Sequence, residues 1–136
     1  MSPRRTTPWP AGTPCWLDLV TPDLDAAKTF YAATLGWDYG PGDPEFGGYC
    51  LAEVDGAPAA GLAPARPGMT PAWTLYVATD DVDATASAIT AAGGTVQGGV
   101  MDLGPTGRMV VANDPMGAQF AAWEAGEHIG SGVHSE

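Results

Sequence analysis

The stretch "WLDLVTPDLDA" (residues 16–26) decides the fold, because its pattern returns as "TLYVATDDVDA" (residues 74–84). In each copy a short run of alternating apolar residues predicts a strand, and a segment with apolar residues at helical spacing follows. Asp23 and Asp81 are the predicted N-caps of these two helices. The sequence therefore predicts two copies of one structural module, displaced by 58 residues along the chain (16 to 74).

Each predicted helix stops at a glycine, Gly36 or Gly93, and three short strand candidates divided by Gly and Pro come after it. The plan is βαβββ twice. The predicted fold class is α+β, with two βαβββ modules pairing into a cup-shaped, half-barrel mixed sheet with the helices outside. The predicted divisions are a flexible N-terminal arm (1–13), the first module (14–66), the second module (70–126) and a flexible C-terminal tail (127–136).

Composition limits the class of protein. The chain has 136 residues, of which 45% are hydrophobic, and this content suits one compact globular domain. A formal net charge of −11 argues against a nucleic-acid partner. No apolar run is long enough for a membrane span, and no apolar core follows the N-terminal arginines as it would in a signal peptide. We expect a cytoplasmic protein whose two cysteines are buried thiols.

Three segments carry a resemblance to a known family: residues 18–37, residues 73–94, and "GRMVVANDPMGAQFAAWE" (residues 107–124). Together they resemble the vicinal oxygen chelate superfamily, which includes glyoxalase I, extradiol dioxygenases, fosfomycin-modifying enzymes and bleomycin-binding resistance proteins. The last segment is most similar to the glyoxalase and bleomycin-resistance branch. The resemblance implies the cup-shaped fold and a homodimer, since chains with two modules in this superfamily commonly pair.

Metal-using members of the superfamily hold one divalent ion through four side chains, typically His and Glu, on the first and last strand of each module. Matched to this sequence, the four positions are Trp16, Ala60, Thr74 and Ala121. Indole, methyl and hydroxyl groups do not supply the imidazole, thiolate or carboxylate donors that such a site needs. We therefore expect no metal and no cofactor. The two histidines, at 128 and 134, fall in the tail and are expected to be solvated.

Strand alternation predicts which side chains face the cup. The predicted inward set is aromatic and small apolar with a few polar groups: Trp16, Asp18, Ala60, Thr74, Tyr76, Gln119, Ala121 and Trp123. Candidates on the middle strands are Phe46, Tyr49 and Met101. Such a lining is typical of a pocket for a hydrophobic organic molecule. The alternative is that the aromatic side chains fill the interior themselves.

Asp18 is a carboxylate in the middle of an apolar strand, which is costly unless it is hydrogen-bonded or paired. It could serve as a general base, accept hydrogen bonds from a ligand, or make a structural bond to a neighbouring strand or to Arg108. For Arg108 itself, the favoured prediction is an ion pair with Asp102 across the hairpin.

These observations favour a metal-independent binding protein that sequesters a hydrophobic aromatic natural product, as the bleomycin-binding proteins of this superfamily do with their drug. Binding an aromatic or polycyclic ligand would confer antibiotic resistance without any catalytic residue. The alternative is a metal-independent cyclase, isomerase or lyase of secondary metabolism, with Asp18 as general base and Tyr76 or Thr74 as proton partner. A third possibility is a structural or regulatory protein with a filled interior. No membrane partner is expected.

Overall fold

The computed structural model describes residues 5–44 and 47–132 of the chain. The chain divides into two compact units. The first unit holds residues 16–73 with segments from both termini, and the second holds residues 6–15 and 74–130. Each unit contains one βαβββ module, so the predicted α+β class with two such modules is confirmed. Within the described part of the chain, no helix is long and apolar enough to cross a membrane.

The first module begins with β1 and a single helix, α1, and continues through three more strands. The elements are β1 (Pro14–Thr21), α1 (Leu24–Leu35), β2 (Asp38–Tyr39), β3 (Cys50–Val54) and β4 (Ala57–Pro64). Hydrogen bonding orders the strands β2-β3-β4-β1. β1 and β4 are parallel, whereas the β2–β3 and β3–β4 pairs are antiparallel.

The second module repeats this plan, with longer second and third strands. Its elements are β5 (Ala72–Ala78), α2 (Val82–Ala91), β6 (Thr95–Asp102), a short 3-10 helix (Gly104–Thr106), β7 (Gly107–Asn113) and β8 (Gln119–Ala125). Hydrogen bonding orders the strands β5-β8-β7-β6, with β5 and β8 parallel and the other pairs antiparallel. The strand order is therefore the same in both modules.

Capping residues set the ends of the two helices, as predicted. The Asp23 and Asp81 carboxylates each accept a hydrogen bond from the backbone N–H three residues on, at 3.0 Å and 3.1 Å. These bonds satisfy amides of the first turn that have no partner within the helix. Gly36 ends α1 in the left-handed region at φ 72°, and Gly93 follows α2 at φ 94°. Both positions favour glycine because the missing Cβ removes the steric penalty of that region.

Packing against the helices defines the two faces of each sheet. In the first unit, Leu19 and Leu62 are buried among side chains that include Tyr31 of α1. In the second unit, Val110 and Ala122 are buried against side chains of α2 and neighbouring strands. Because successive strand residues point to opposite faces, the residues between these lie on the face turned away from the helix. We call this the far face of each unit.

Both cysteines are buried thiols outside any disulfide, as expected. Burial raises the pKa of the Cys15 thiol to about 11, so it stays protonated at neutral pH. Burial also raises the pKa of Cys50. Two groups that keep their protons in apolar surroundings are not nucleophiles, and we assign them to packing.

Candidate functional site

A chain of hydrogen bonds lies on the far face of the first unit. Trp16 is 5% exposed, and its indole Nε1–H donates to the hydroxyl oxygen of Tyr49 at 2.8 Å. Tyr49 directly precedes Cys50, which belongs to the core cluster beneath α1. Alternation therefore turns Tyr49 to the opposite face, where β1 presents Trp16. The two aromatic residues are held together by a polar contact as well as by burial.

The same hydroxyl group connects to Asp18, two residues along β1 from Trp16. The Tyr49 hydroxyl is hydrogen-bonded to the Asp18 carboxylate. Burial, and then the negative charge of Asp18, raise the pKa of Tyr49 well above its usual value. The phenol therefore remains protonated and donates to Asp18 while it accepts from Trp16. Asp18 is half-buried, and this arrangement fixes its carboxylate in one orientation.

Gly61 makes room for this arrangement. It is the register partner of Asp18 in the parallel β1–β4 pair. A Cβ built on Gly61 would overlap the hydroxyl group and ring of Tyr49. Tyr49 therefore lies flat across β4 at a position where any larger residue would displace it. The glycine is required by this close approach and not by its backbone conformation.

The predicted orientation of Ala60 is wrong. Ala60 is fully buried in the cluster with Leu19 and Leu62 that packs against α1, so it does not lie on the far face. In the second module, Tyr76 pairs with Ala121. The equivalent of Tyr76 in the first module is Asp18, 58 positions earlier, and Asp18 pairs with Gly61. The counterpart of Ala121 is therefore Gly61. The β3–β4 pair has a register shift between Ala52 and Glu53, so β4 carries one extra residue before Ala60, which a match counted from the turn does not include.

The predicted residues of the second unit lie together on its far face. Gln119 donates from Nε2 to the hydroxyl of Thr74 at 3.0 Å. The rings of Tyr76 and Trp123 meet edge to face, with centroids 6.4 Å apart, and both are buried. Ala121 is the register partner of Tyr76 and is fully buried. The far face of the second unit thus carries two polar side chains, Thr74 and Gln119, and two aromatic rings, those of Tyr76 and Trp123.

The middle strands contribute methionines to the same face. Met101 on β6 pairs with Met109 on β7, and Met109 in turn pairs with Trp123 on β8, so all three share one face. Met101 is 45% exposed, whereas Met109 is buried. Met109 was not among the predicted residues. It lies two residues from Val111 on a continuous apolar strand, and such a strand does not indicate which side chains share a face. The predicted candidate Phe46 lies outside the described residues.

His128 differs from the solvated residue that was predicted. Its backbone carbonyl accepts the indole N–H of Trp123 at 2.7 Å, and the two rings lie 5.6 Å apart. Burial lowers the pKa of this imidazole below its usual value of 6.5. The segment after β8 therefore folds back over Trp123. The other histidine, His134, lies outside the described residues.

The predicted ion pair of Arg108 with Asp102 is also wrong. Arg108 pairs with Asp83 at 3.0 Å and with Glu124 at 3.6 Å. Asp102 is its register partner across the β6–β7 hairpin, but the Asp102 carboxylate accepts from the Gly104 backbone N–H. The guanidinium thus links the β-sheet to the first turn of α2. Its hydrogen bonds to Asp83 raise the pKa of Arg108.

A sequence model of the glyoxalase-like domain matches residues 15–123. The chain belongs to the glyoxalase-like domain family. It is 41% identical over 131 residues to a Mycobacterium bovis protein named "Putative glyoxylase CFP32", covering 92% of this chain and 50% of that protein. It is 39% identical over 138 residues to the anthracycline biosynthesis protein DnrV of Streptomyces peucetius, covering 90% and 50%. This glyoxalase-like chain spans about half the length of both curated relatives.

Solved structures agree with this fold. A member of the glyoxalase/bleomycin resistance protein/dioxygenase superfamily from Vibrio splendidus aligns with a TM-score of 0.57 and 14% identity. The alignment covers 79% of this glyoxalase-like chain and 95% of that one. The likeness shows the fold alone.

The metal-ligand positions of this glyoxalase-like chain do not fit a divalent ion. The first module supplies the indole of Trp16 and the bare backbone of Gly61, and the second supplies the hydroxyl of Thr74 and the methyl of Ala121. Such ions take imidazole, thiolate or carboxylate donors. Among residues 5–44 and 47–132, no group of three or more His, Cys, Asp or Glu side chains is arranged to hold a metal.

Proposed function

We propose that this glyoxalase-like chain is a metal-independent binding protein that sequesters a planar, hydroxylated aromatic natural product. The observation that carries the proposal is the half-buried carboxylate of Asp18, fixed by the Tyr49 hydroxyl, which is itself fixed by the indole N–H of Trp16. A fixed acceptor beside two aromatic side chains suits a ring system that bears a phenolic hydroxyl or an amine. The ligand would donate a charge-assisted hydrogen bond to Asp18.

The relatives support the chemical class of the ligand. One of them is named an anthracycline biosynthesis protein, and anthracyclines are polycyclic aromatic compounds. Sequestration needs affinity alone, and the far faces of both units carry aromatic side chains. Each aromatic pair contributes about 0.5–1.5 kcal/mol beyond the burial of its surface. Removing a toxic compound from solution in this way would confer resistance on the producing cell.

Isothermal titration calorimetry with two matched probes tests the proposal. The probes are 2,6-dihydroxyanthraquinone, whose phenolic hydroxyls cannot bond to its own carbonyl groups, and unsubstituted anthraquinone, which has no donor. We expect saturable binding of both at micromolar concentrations, and tighter binding of the hydroxylated compound because it can donate to Asp18. Absence of saturable heat with either probe contradicts the proposal. Equal affinity for the two probes would contradict the role assigned to Asp18.

A second candidate function is a metal-independent lyase, isomerase or cyclase, in which Asp18 removes a proton from carbon or oxygen. The observation that favours it is the Tyr49 hydroxyl, which is hydrogen-bonded to the carboxylate and could return a proton. Replacing Asp18 by Asn separates the two candidates. An enzyme would lose turnover while keeping affinity, whereas a binding protein would lose affinity for the hydroxylated ligand.

We also propose that the chain forms a homodimer, as chains of this size commonly do in the superfamily that it resembles. Light scattering coupled to gel filtration measures the mass directly. A mass of twice 13.9 kDa is expected. A mass equal to that of one chain across a wide concentration range would contradict the dimer.

A further inference from the structure

A cavity of about 170 Å³ lies within the second unit, where the N-terminal arm crosses the ends of two parallel strands. Pro8 and Trp9 of the arm form one wall. The ends of β5 and β8 also line the cavity, through Ala78 and Trp123, as does Ile129. The arm is held there by backbone hydrogen bonds in both directions between residues 12–13 and Ala78. All of these residues belong to one compact unit.

The aromatic wall formed by Trp123 is rigid. Its indole N–H donates to the carbonyl of His128 at 2.7 Å, and its ring is in edge contact with Tyr76. Trp9, on the arm, is half-buried. Two indole rings therefore border one small space, and one of them is fixed in orientation. Indole faces attract organic cations more strongly than other aromatic side chains do.

The charges around the cavity have one sign. Asp80 and Glu124 both line it, and none of the described residues that form its wall is basic. Glu124 already accepts from the Val82 backbone N–H at 3.0 Å and lies 3.6 Å from Arg108. Its charge is therefore largely offset. Asp80, which is exposed, is the carboxylate that we assign to an incoming cation. The net charge of −11 adds a field that favours cations over anions.

We propose that this cavity binds a protonated primary amine carried on a small apolar frame. Pockets for drug-sized ligands have volumes of about 300–1,000 Å³, so a cavity of this size takes a small molecule or one aminoalkyl arm of a larger one. The ammonium group would lie between the indole rings and Asp80, and the carbon frame would contact Ala78 and Ile129. This site uses second-unit residues only and does not rest on the proposed function.

Nuclear magnetic resonance of the full chain tests this site with benzylamine, and with benzyl alcohol as a neutral probe of the same size. Benzylamine should shift the indole N–H signals of Trp9 and Trp123 in a saturable way at millimolar concentrations and leave that of Trp16 unchanged. Benzyl alcohol should bind at least about fivefold more weakly, because it lacks the charge that the rings and Asp80 recognise. Equal binding of the two probes, no saturation, or a saturable shift of Trp16 alone would overturn the proposal.

Variants locate the interaction. Asp80→Asn should weaken benzylamine binding by about two- to fivefold, because an exposed charge partner contributes only modestly. Asp25→Asn, at an exposed acidic residue in the first turn of α1, removes the same charge elsewhere and should change the affinity less than twofold. Trp9→Ala should abolish saturable binding, whereas Trp9→Phe should retain part of it. Equal effects of the two aspartate variants would show that the attraction is general and would overturn the site.

Discussion

The space beside the Gly61 backbone can hold only one side chain, and Tyr49 occupies it. The Tyr49 hydroxyl lies against the Gly61 backbone so closely that a Cβ at position 61 would overlap it. Gly61 is also the counterpart of Ala121, at a position where metal-using members of the superfamily are expected to carry a ligand. A ligand side chain and this placement of Tyr49 are therefore mutually exclusive, and Tyr49 takes the space that the ligand would need.

The first prediction follows from that overlap. Gly61→Ala should lower the free energy of unfolding by about 1–3 kcal/mol, because overpacking forces Tyr49 out of its position. Gly40→Ala is the control, since its new Cβ would meet only the end of the flexible Glu53 side chain at 3.2 Å. Urea denaturation measures both. In the Tyr49→Ala background the Gly61→Ala substitution should cost much less, and strict additivity of the two changes would contradict the contact.

The second prediction concerns alkaline stability. Burial and the charge of Asp18 raise the pKa of Tyr49 in the folded state, so the unfolded chain loses this proton first as pH rises above about 10. The contribution of Tyr49 is fully present below that pH and declines above it by up to about 1.4 kcal/mol per pH unit. Tyr49→Phe should make the stability curve less steep there. Urea midpoints across this pH range measure the slope, and equal slopes for wild type and Tyr49→Phe would contradict the assignment.

The third prediction concerns mild acid. Burial lowers the pKa of His128 in the folded state, so the unfolded chain takes up this proton first as pH falls below about 6.5. Stability should therefore decline on acidification through this range. His128→Gln should reduce the decline, while His134→Gln serves as the control. Urea midpoints at a series of pH values give the comparison, and identical curves for wild type and His128→Gln would contradict the assignment.

The fourth prediction tests the acceptor role of Asp18. Asp18→Asn replaces a charge-assisted hydrogen bond by a neutral one of the same shape, at a cost of about 1 kcal/mol or more. Affinity for 2,6-dihydroxyanthraquinone should fall about fivefold or more, whereas affinity for anthraquinone should not change. Calorimetry measures both values. A loss of equal size with the two probes would mean that the substitution disturbs the fold and not one hydrogen bond.

The fifth prediction concerns metal independence. Indole, backbone, hydroxyl and methyl at the four ligand positions offer no donor set for a divalent ion. Ligand affinity should therefore be the same in EDTA as in Mn²⁺ or Zn²⁺. Elemental analysis of protein purified without a histidine tag is the complementary measurement. One tightly held ion per chain, or affinity that depends on the metal, would contradict the prediction.

The sequence was sufficient wherever structure depends on neighbours along the chain. The aspartate caps and glycine stops were predicted because a cap acts within one helical turn. The faces of β1, β5 and β8 were predicted because alternation has a period of two. Ala60 was misplaced because the β3–β4 pair contains a register shift that sequence alternation does not reveal, and an error of one residue reverses the face of a side chain.

What the sequence by itself determined is the repeated βαβββ module and the chemistry of the ligand positions, since both depend on local sequence patterns. The tertiary structure decided which of those residues meet. Tyr49 accepts the indole N–H of Trp16 from 33 residues away, and Arg108 binds Asp83, not Asp102. Such partners depend on strand register and on the space left by a glycine, and that space exists only after the strands have paired.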